Sequence, residues 1–251
     1  MMMSFSTRLD ALHLYFRQNR WLWLFTLGTR LLLAFGFIMA GYVKIIGERF
    51  TDLSCNQPMG HFLQATFDTG YYYTSLGVFQ ILAAVLLLFP RTVVLGVLIY
   101  LPIILNITIL SYSVRFEGSL FTAPLMVLAN LYLLWWHYDR VKYILPLSRS
   151  TLPQLLPKQK MNNRFPIVFA SGVFLCFVAV VVINLNLYEV MPRNTVGDCL
   201  EQFEGTNRTQ AGSSFCDCIH KEGNTLGRCL DAYEKAPDDV FPVAEPASSS
   251  E

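Results

Sequence analysis

The chain has 251 residues, of which 53% are hydrophobic and 15% are charged, whereas an ordinary soluble domain carries roughly 25% charged residues. This composition argues against a soluble domain and for a protein that lipid solvates. The formal net charge is +1, so overall charge gives no reason to expect a nucleic acid partner or an anionic substrate attracted from solution.

The pattern of apolar residues predicts five membrane-spanning helices. A spanning helix needs about 20 mostly apolar residues, and suitable stretches lie within residues 21–46 and at about 73–89, 92–114, 120–136 and 167–187. Only short turns join the second, third and fourth stretches, so these helices are expected to be antiparallel neighbours. The sequence therefore predicts an all-α integral membrane protein, with a four-helix transmembrane bundle at 21–145 and a fifth transmembrane helix at 166–188.

The segments outside these helices have distinct compositions. Residues 1–20 mix apolar with basic side chains, which predicts an amphipathic segment at the membrane surface rather than a cleaved signal peptide. Residues 146–165 form a basic, proline-containing linker, which is long for a compact bundle and predicts a fifth helix partly independent of the other four. Residues 238–251 are rich in Pro, Asp and Ser, which predicts a disordered tail.

The distribution of Lys and Arg predicts the orientation. With five spans, the basic N-terminal segment, Arg91 and the linker lie on one side of the membrane, which the positive-inside rule makes the cytoplasmic side. Everything after Tyr188 then lies on the opposite side. We therefore expect a multi-pass protein of the inner (cytoplasmic) membrane, with a cytoplasmic N-terminus and an extracytoplasmic C-terminal domain.

Four of the six cysteines fall in that domain, at Cys199, Cys216, Cys218 and Cys229. Disulfides persist in oxidising compartments, and residues 189–237 are too few to bury the apolar surface that folding alone requires. On a helix, Cys216 and Cys218 point about 200° apart, so one should pair with Cys199 and the other with Cys229, in an order that the sequence leaves open. We expect a small disulfide-stapled helical extracytoplasmic domain.

The cysteines also allow two other interpretations, which are a redox-active Cys-x-Cys pair and a metal site with unusual ligand spacing. Cys55 is expected to be free or to pair with a cysteine of the domain. Cys176, in the fifth helix, is expected to be a small buried apolar side chain. A haem within the bundle is not predicted, because the histidines do not meet at one membrane depth, and no metal ligands are assigned.

Polar side chains at membrane depth are costly and therefore mark candidate sites. The candidate intramembrane polar site consists of Arg30, Lys44, Gln80, Asn106 and Asn130. The simpler interpretation is that Arg30 and Lys44 extend to opposite membrane surfaces and that both asparagines form interhelical hydrogen bonds. No catalytic residues are assigned, since the sequence contains no Walker loop, dinucleotide fingerprint or metalloprotease motif.

Three segments of the bundle resemble the DoxX-like superfamily. They are residues 30–44 (RLLLAFGFIMAGYVK), 77–91 (GVFQILAAVLLLFPR) and 130–139 (NLYLLWWHYD), and the resemblance covers about residues 25–145. It implies a four-helix inner-membrane protein that serves electron transfer to quinone or the assembly of a redox complex. Many members carry a Glu in the second helix where this chain has Gln80, and an amide cannot act as a carboxylate base.

The small residues Gly36, Ala40 and Gly41 predict close contact between helices.

These observations support two hypotheses about function. The first is a membrane-embedded accessory or assembly subunit, whose bundle contacts other membrane proteins and whose cysteine-rich domain binds an extracytoplasmic partner. The second is a redox-associated subunit of DoxX or DoxD type, with a quinone as the cofactor held near the candidate polar site. A small-solute transporter ranks below both, because it would require inverted repeats or paired broken helices. The expected partners are the lipid bilayer and other proteins, and not nucleic acid.

Overall fold

The computed structural model describes residues 12–144 and 161–239. The predicted surface segment therefore lies within the described residues only from position 12, where residues 12–17 are helical. The predictions for residues 1–11, for most of the linker (145–160) and for the tail from residue 240 lie outside the described residues.

The described chain is built from helices. They are α1 (Arg20–Ile45), α2 (Pro58–Phe67), α3 (Tyr71–Leu88), α4 (Val93–Ser113), α5 (Glu117–Leu120), α6 (Thr122–Trp136), α7 (Tyr138–Ile144), α8 (Ile167–Leu187), α9 (Val196–Glu201), α10 (Thr209–His220) and α11 (Leu226–Lys235). Within the described ranges, five helical spans are long and apolar enough to cross a membrane: α1, α3, α4, α5 continued by α6, and α8. Their predicted bounds agree with the observed ones within three residues. This confirms the predicted fold class.

Local sequence explains where several helices begin and end. The side chain of Asn19 caps α1, since its oxygen accepts hydrogen bonds from the backbone N–H groups of Trp21 and Leu22. Pro58 stands at the start of α2, where the missing N–H of proline has no cost. Pro90 follows the end of α3 and cannot continue it. The sequence analysis did not predict α2, because it lies between the first two apolar stretches and is too short to span a membrane.

The bundle is a closed arrangement of four helices. The helix α1 contacts α3 and α6, and α4 contacts the same two helices from the other side. Because consecutive helices run in opposite directions, the bundle has two faces. The N-terminal face holds the start of α1 and the ends of α3 and α6, and the domain face is opposite. In the core, the rings of Phe37 and Tyr100 stack with their centroids 3.5 Å apart.

Two glycines allow α1 and α3 to approach closely. A Cβ added to Gly41 would lie 2.7 Å from the carbonyl oxygen of Gly77, and a Cβ added to Gly77 would lie 2.7 Å from the oxygen of Gly41. Neither position accepts a larger side chain without separating the helices. In lipid, such close packing replaces the hydrophobic effect as the force that joins helices. The predicted close contact at Gly41 is confirmed.

The fifth spanning helix lies outside the bundle. Among the described helices, α8 lies closest along its backbone to α6, and only Asn184 of its 21 residues is buried. This confirms the predicted independence of the helix. It also corrects the prediction for Cys176, which is exposed, because a helix outside the bundle turns most of its surface to lipid.

The helices α9, α10 and α11 form the cysteine-rich domain, which we define as residues 189–239. Disulfides join Cys199 to Cys216 and Cys218 to Cys229, so each cysteine of the Cys-x-Cys pair bonds in a different direction, as predicted. The bridges enclose a small core. It consists of Val190, Phe203, Phe215 and Ile219 with Leu226, Leu230 and Tyr233 packed against them.

Candidate functional site

The five residues of the candidate intramembrane site do not come together. Arg30 lies toward the N-terminal face, where its Nε and Nη2 groups donate hydrogen bonds to the carbonyl oxygens of Leu87 and Leu88, each at 2.7 Å. These are the last carbonyls of α3, which have no partner within their own helix. Arg30 therefore holds the end of α3 against α1, instead of extending freely to the membrane surface as predicted.

Lys44 lies at the opposite end of α1 and is buried, with 8% of its surface exposed. Its Nζ atom donates a hydrogen bond to the carbonyl oxygen of Ala40 at 2.9 Å and lies 4.3 Å from the centroid of the Phe50 ring. Tyr73 supplies a second, more distant ring at 5.9 Å. The prediction that Lys44 extends to the surface is therefore wrong, because the loop after α1 folds back and covers the ammonium group with an aromatic face.

The three amides occupy separate places. Asn130 is fully buried and donates to the carbonyl oxygen of Val97 at 3.2 Å, which confirms its predicted interhelical hydrogen bond. Gln80 is buried between α3 and α1, and its Oε1 atom accepts no hydrogen bond from the described residues. Asn106 lies on the outer surface of α4, so its predicted interhelical bond is wrong. The bundle interior offers packing and helix-end contacts, with no convergent polar site among these five residues.

A large cleft lies between α8 and the bundle. It has a volume of about 1410 Å³ and is lined by α1, α6 and α8, whereas small-molecule sites usually occupy roughly 300–1,000 Å³. Its apolar wall includes Leu33, Gly36, Met126, Ala129, Val173 and Phe177. The cleft was not predicted from the sequence. Its shape depends on how α8 lies beside α6, and the apolar run of α8 does not predict that position.

The cleft persists because α8 is joined to the rest of the protein at both ends. Near the N-terminal face, the ring of Phe169 lies 5.3 Å from that of Phe25 and 5.6 Å from that of Tyr132. Near the domain face, the hydroxyl of Tyr188 donates to the carbonyl oxygen of Tyr112 at 2.8 Å. Among the described residues, no comparable contact joins the middle of α8 to the bundle, so this gap faces lipid.

The cysteine-rich domain is fixed to the domain face of the bundle by polar contacts. Arg115, after α4, donates to the carbonyl oxygen of Val190 at 2.6 Å, and its guanidinium lies 4.6 Å above the Tyr188 ring. Arg193 forms a 2.6 Å salt bridge with Glu117. Arg115 and Arg193 both have positive φ angles of 52° and 54°, which are uncommon for residues with a side chain and persist where surrounding contacts impose them.

A second set of contacts involves the loop before α2. The amide of Asn56 donates to the carbonyl oxygens of His220 and Lys221 at 2.8 and 3.2 Å, which are the last residues of α10 and its cap. His220 in turn contacts the carbonyl oxygen of Pro192 through Nε2 at 2.7 Å. Burial raises the pKa of the Tyr188 phenol beside this junction, and the nearby Arg115 charge partly opposes that shift. The domain and the bundle thus meet through side chains from both.

The surface of the domain is acidic. Residues 189–239 contain ten acidic and five basic side chains. Asp231 and Glu234 lie three positions apart on α11 and are both exposed, so they share one face of that helix. No cluster of His, Cys, Asp or Glu that could hold a metal occurs within residues 12–144 and 161–239. The free thiols of the described residues are Cys55 and Cys176, and the four remaining cysteines are engaged in bridges.

Comparison with known proteins finds a relative in Bacillus subtilis. Over 122 residues the chain is 38% identical to the "Uncharacterized protein YwoB" of Bacillus subtilis strain 168, and this alignment covers 46% of the chain and 77% of that protein. No protein-family model matches the chain. No solved structure matches it.

Proposed function

The chain belongs to the family of the Bacillus subtilis protein YwoB, and we propose that it is an accessory or assembly subunit of an inner-membrane complex. In this proposal the bundle anchors the cysteine-rich domain at the extracytoplasmic surface, where the domain binds a partner protein. The resemblance of α1, α3 and α6 to the DoxX-like superfamily is compatible with this role and stays a prediction.

The orientation in this proposal follows from charge. Exposed basic side chains at the N-terminal face include Arg20, Arg91, Arg140 and Arg164, which the positive-inside rule assigns to the cytoplasm. The cysteine-rich domain then lies in an oxidising compartment, where its two disulfides are stable. Charge and cysteine chemistry support the same orientation independently.

The observation that carries the proposal is the junction between the domain and the bundle. A domain that hung on a free linker would present its surface in every orientation, and a partner would have to order it on binding. Here Arg115, Arg193 and Asn56 fix the domain against the bundle. A partner therefore meets a surface that is already oriented, which reduces the entropic cost of association.

The acidic surface indicates the chemistry of the partner. Ten acidic against five basic side chains in the domain give a negative potential that favours a basic surface and accelerates its association. We propose that Asp231 and Glu234, exposed on one face of α11, contribute to this contact.

Affinity purification from membranes in mild detergent tests the proposal. The wild-type chain should retain a protein partner in stoichiometric amount, and the double variant Asp231→Lys/Glu234→Lys should lose most of it at low salt. The matched control is Glu48→Lys/Asp68→Lys, which changes the charge equally at exposed positions in the bundle loops. If wild type retains no stoichiometric protein, or if both double variants behave alike, the partner-binding role of this surface is wrong.

The redox alternative would require polar side chains that converge on a quinone within the bundle. The five residues predicted for that site lie apart: Arg30, Lys44, Gln80, Asn106 and Asn130. Extraction of the same purified sample for quinones tests it directly. A stoichiometric quinone without a protein partner would favour the redox subunit over the assembly subunit.

A further inference from the structure

We propose that the cleft between α8 and the bundle binds one anionic phospholipid from the leaflet at the N-terminal face. This inference goes beyond the partner-binding role and does not depend on it. It follows from the size of the cleft, its depth, the charge at its mouth and the hydrogen bonding of its walls.

The cleft extends from the N-terminal face past the middle of the membrane. On α8 its lining runs from Ile167 to Phe177, a rise of about 15 Å at about 1.5 Å per residue, and on α1 and α6 it reaches Gly36 and Thr122. The hydrocarbon core of a bilayer is about 30 Å thick, so the cleft is deep enough for the acyl chains of one leaflet. Its opening to the bilayer lets acyl chains enter sideways from the same leaflet.

The described part of the cleft mouth carries one cation. Among the described residues that line the cleft, Arg164 is the only charged side chain. Its backbone is held in place, because its N–H donates to the side-chain oxygen of Asn162 and its carbonyl accepts from the side chain of Asn19. No hydrogen bond or ion pair joins the guanidinium to another of the described residues, and in this proposal it binds the phosphate headgroup when the chains occupy the cleft.

This segment is also paired with the start of α1. The backbone N–H of Asn162 donates to the oxygen of Gln18 at 2.7 Å, and the N–H of Arg20 donates to the oxygen of Asn162 at 3.0 Å. These bonds fix the distance between the mouth and the apolar walls. A cation at a set distance from an apolar cleft matches a ligand with an anionic head and long apolar chains.

Two hydroxyl groups of the walls, those of Thr29 and Tyr132, favour acyl chains over the ring of a quinone beside them. The carbonyl groups of a quinone require hydrogen-bond donors. The hydroxyl of Thr29 instead donates to the carbonyl oxygen of Phe25 at 2.8 Å. The hydroxyl of Tyr132 lies 2.8 Å from that of Thr26, which itself donates to Leu22. Two hydroxyls of the walls are thus engaged within the protein, and apolar chains need no such donors.

Gly172 gives a variant that fills the cleft. It lines the cleft, and a Cβ added there meets no atom within 4 Å, so Gly172→Trp places an indole in the space of the acyl chains without a backbone clash. Leu175→Trp is the matched control on the same helix, because Leu175 is 65% exposed and does not line the cleft. Arg164→Gln tests the contact with the phosphate headgroup, since it removes the charge and keeps a polar side chain.

The experiment uses the full chain reconstituted into vesicles of equal parts phosphatidylglycerol and phosphatidylcholine, extracted into mild detergent and weighed by native mass spectrometry. Wild type and Leu175→Trp should retain one phosphatidylglycerol per chain. Gly172→Trp should reduce its occupancy about tenfold. Arg164→Gln should reduce the preference for phosphatidylglycerol over phosphatidylcholine by roughly fivefold.

Each variant is first compared with wild type by size-exclusion elution and thermal unfolding, so that a misfolded protein is not counted as one that has lost its lipid. The proposal is overturned if folded Gly172→Trp keeps the lipid. It is also overturned if wild type retains phosphatidylcholine equally well, or if protein purified from its own membrane carries a quinone in place of the phospholipid.

Discussion

Gly41 shows how one absent side chain sets the geometry of the bundle. Its replacement by leucine would place atoms within 2.7 Å of the carbonyl oxygen of Gly77, so α1 and α3 would have to separate. We expect Gly41→Leu to lower the free energy of unfolding by about 1–3 kcal/mol. Gly28→Leu on the same helix is the control, because a Cβ at Gly28 meets nothing within 4 Å. Equal unfolding free energies for the two variants in detergent would contradict the close contact.

His137 gives a prediction about pH. Burial lowers its pKa from 6.5 to about 4, and its Nδ1 atom lies 3.0 Å from the carbonyl oxygen of Leu133. The folded protein therefore keeps a neutral ring between these values, while the unfolded chain takes up a proton below about pH 6.5. Stability contributed by this group is complete above that pH and falls as the pH drops toward 4, by up to about 3 kcal/mol.

The measurement is the unfolding free energy of wild type and His137→Gln between pH 7 and pH 4.5. The variant should show a flatter dependence over this range. His61→Gln, at an exposed position, should keep the wild-type slope. A variant at position 137 with an unchanged slope would show that the ring is not buried in neutral form.

Residue-level prediction from the sequence succeeded where the chemistry leaves one solution. The amide of Asn130 was expected to form an interhelical hydrogen bond, and it donates to the carbonyl oxygen of Val97. The same expectation failed for Asn106, because hydropathy alone does not say which side of α4 faces the bundle. It also failed for Lys44, since the aromatic cover comes from Phe50 in a loop whose path the sequence does not specify.

At the level of elements, the spanning helices were predictable because lipid requires long apolar runs, and the bounds of α8 were predicted as observed. The helix α2 was missed, although Gln57 followed by Pro58 is a recognisable helix start. The cleft was not predictable, because it arises from the separation of α8 from α6 and not from any local pattern.

The two disulfides give a prediction at this scale. Peptide mapping without reduction should recover Cys199 linked to Cys216 and Cys218 linked to Cys229. Replacing both Cys199 and Cys216 by alanine should destabilise the domain by roughly 2–4 kcal/mol, whereas Cys55→Ala, which removes a free thiol, should leave stability nearly unchanged. Recovery of a Cys199–Cys229 peptide would contradict the observed pairing.

At the scale of the whole molecule, five spans place the two ends of the described chain at opposite faces. The cysteine-rich domain is joined to one face through Arg115, Arg193 and Asn56, and the cleft opens near the other. Partner binding and lipid binding would therefore occur on opposite sides of the membrane, connected through α8.

This two-sided arrangement is the claim on which the account depends, and thiol labelling with a membrane-impermeant maleimide tests it most directly. Cys55 is free and exposed near the domain face, so it should react in intact spheroplasts. A cysteine introduced by Arg91→Cys, at the exposed turn on the N-terminal face, should react only after permeabilisation when Cys55 and Cys176 have been replaced by alanine. Reaction of both positions from the same side, or with the order reversed, would contradict the account.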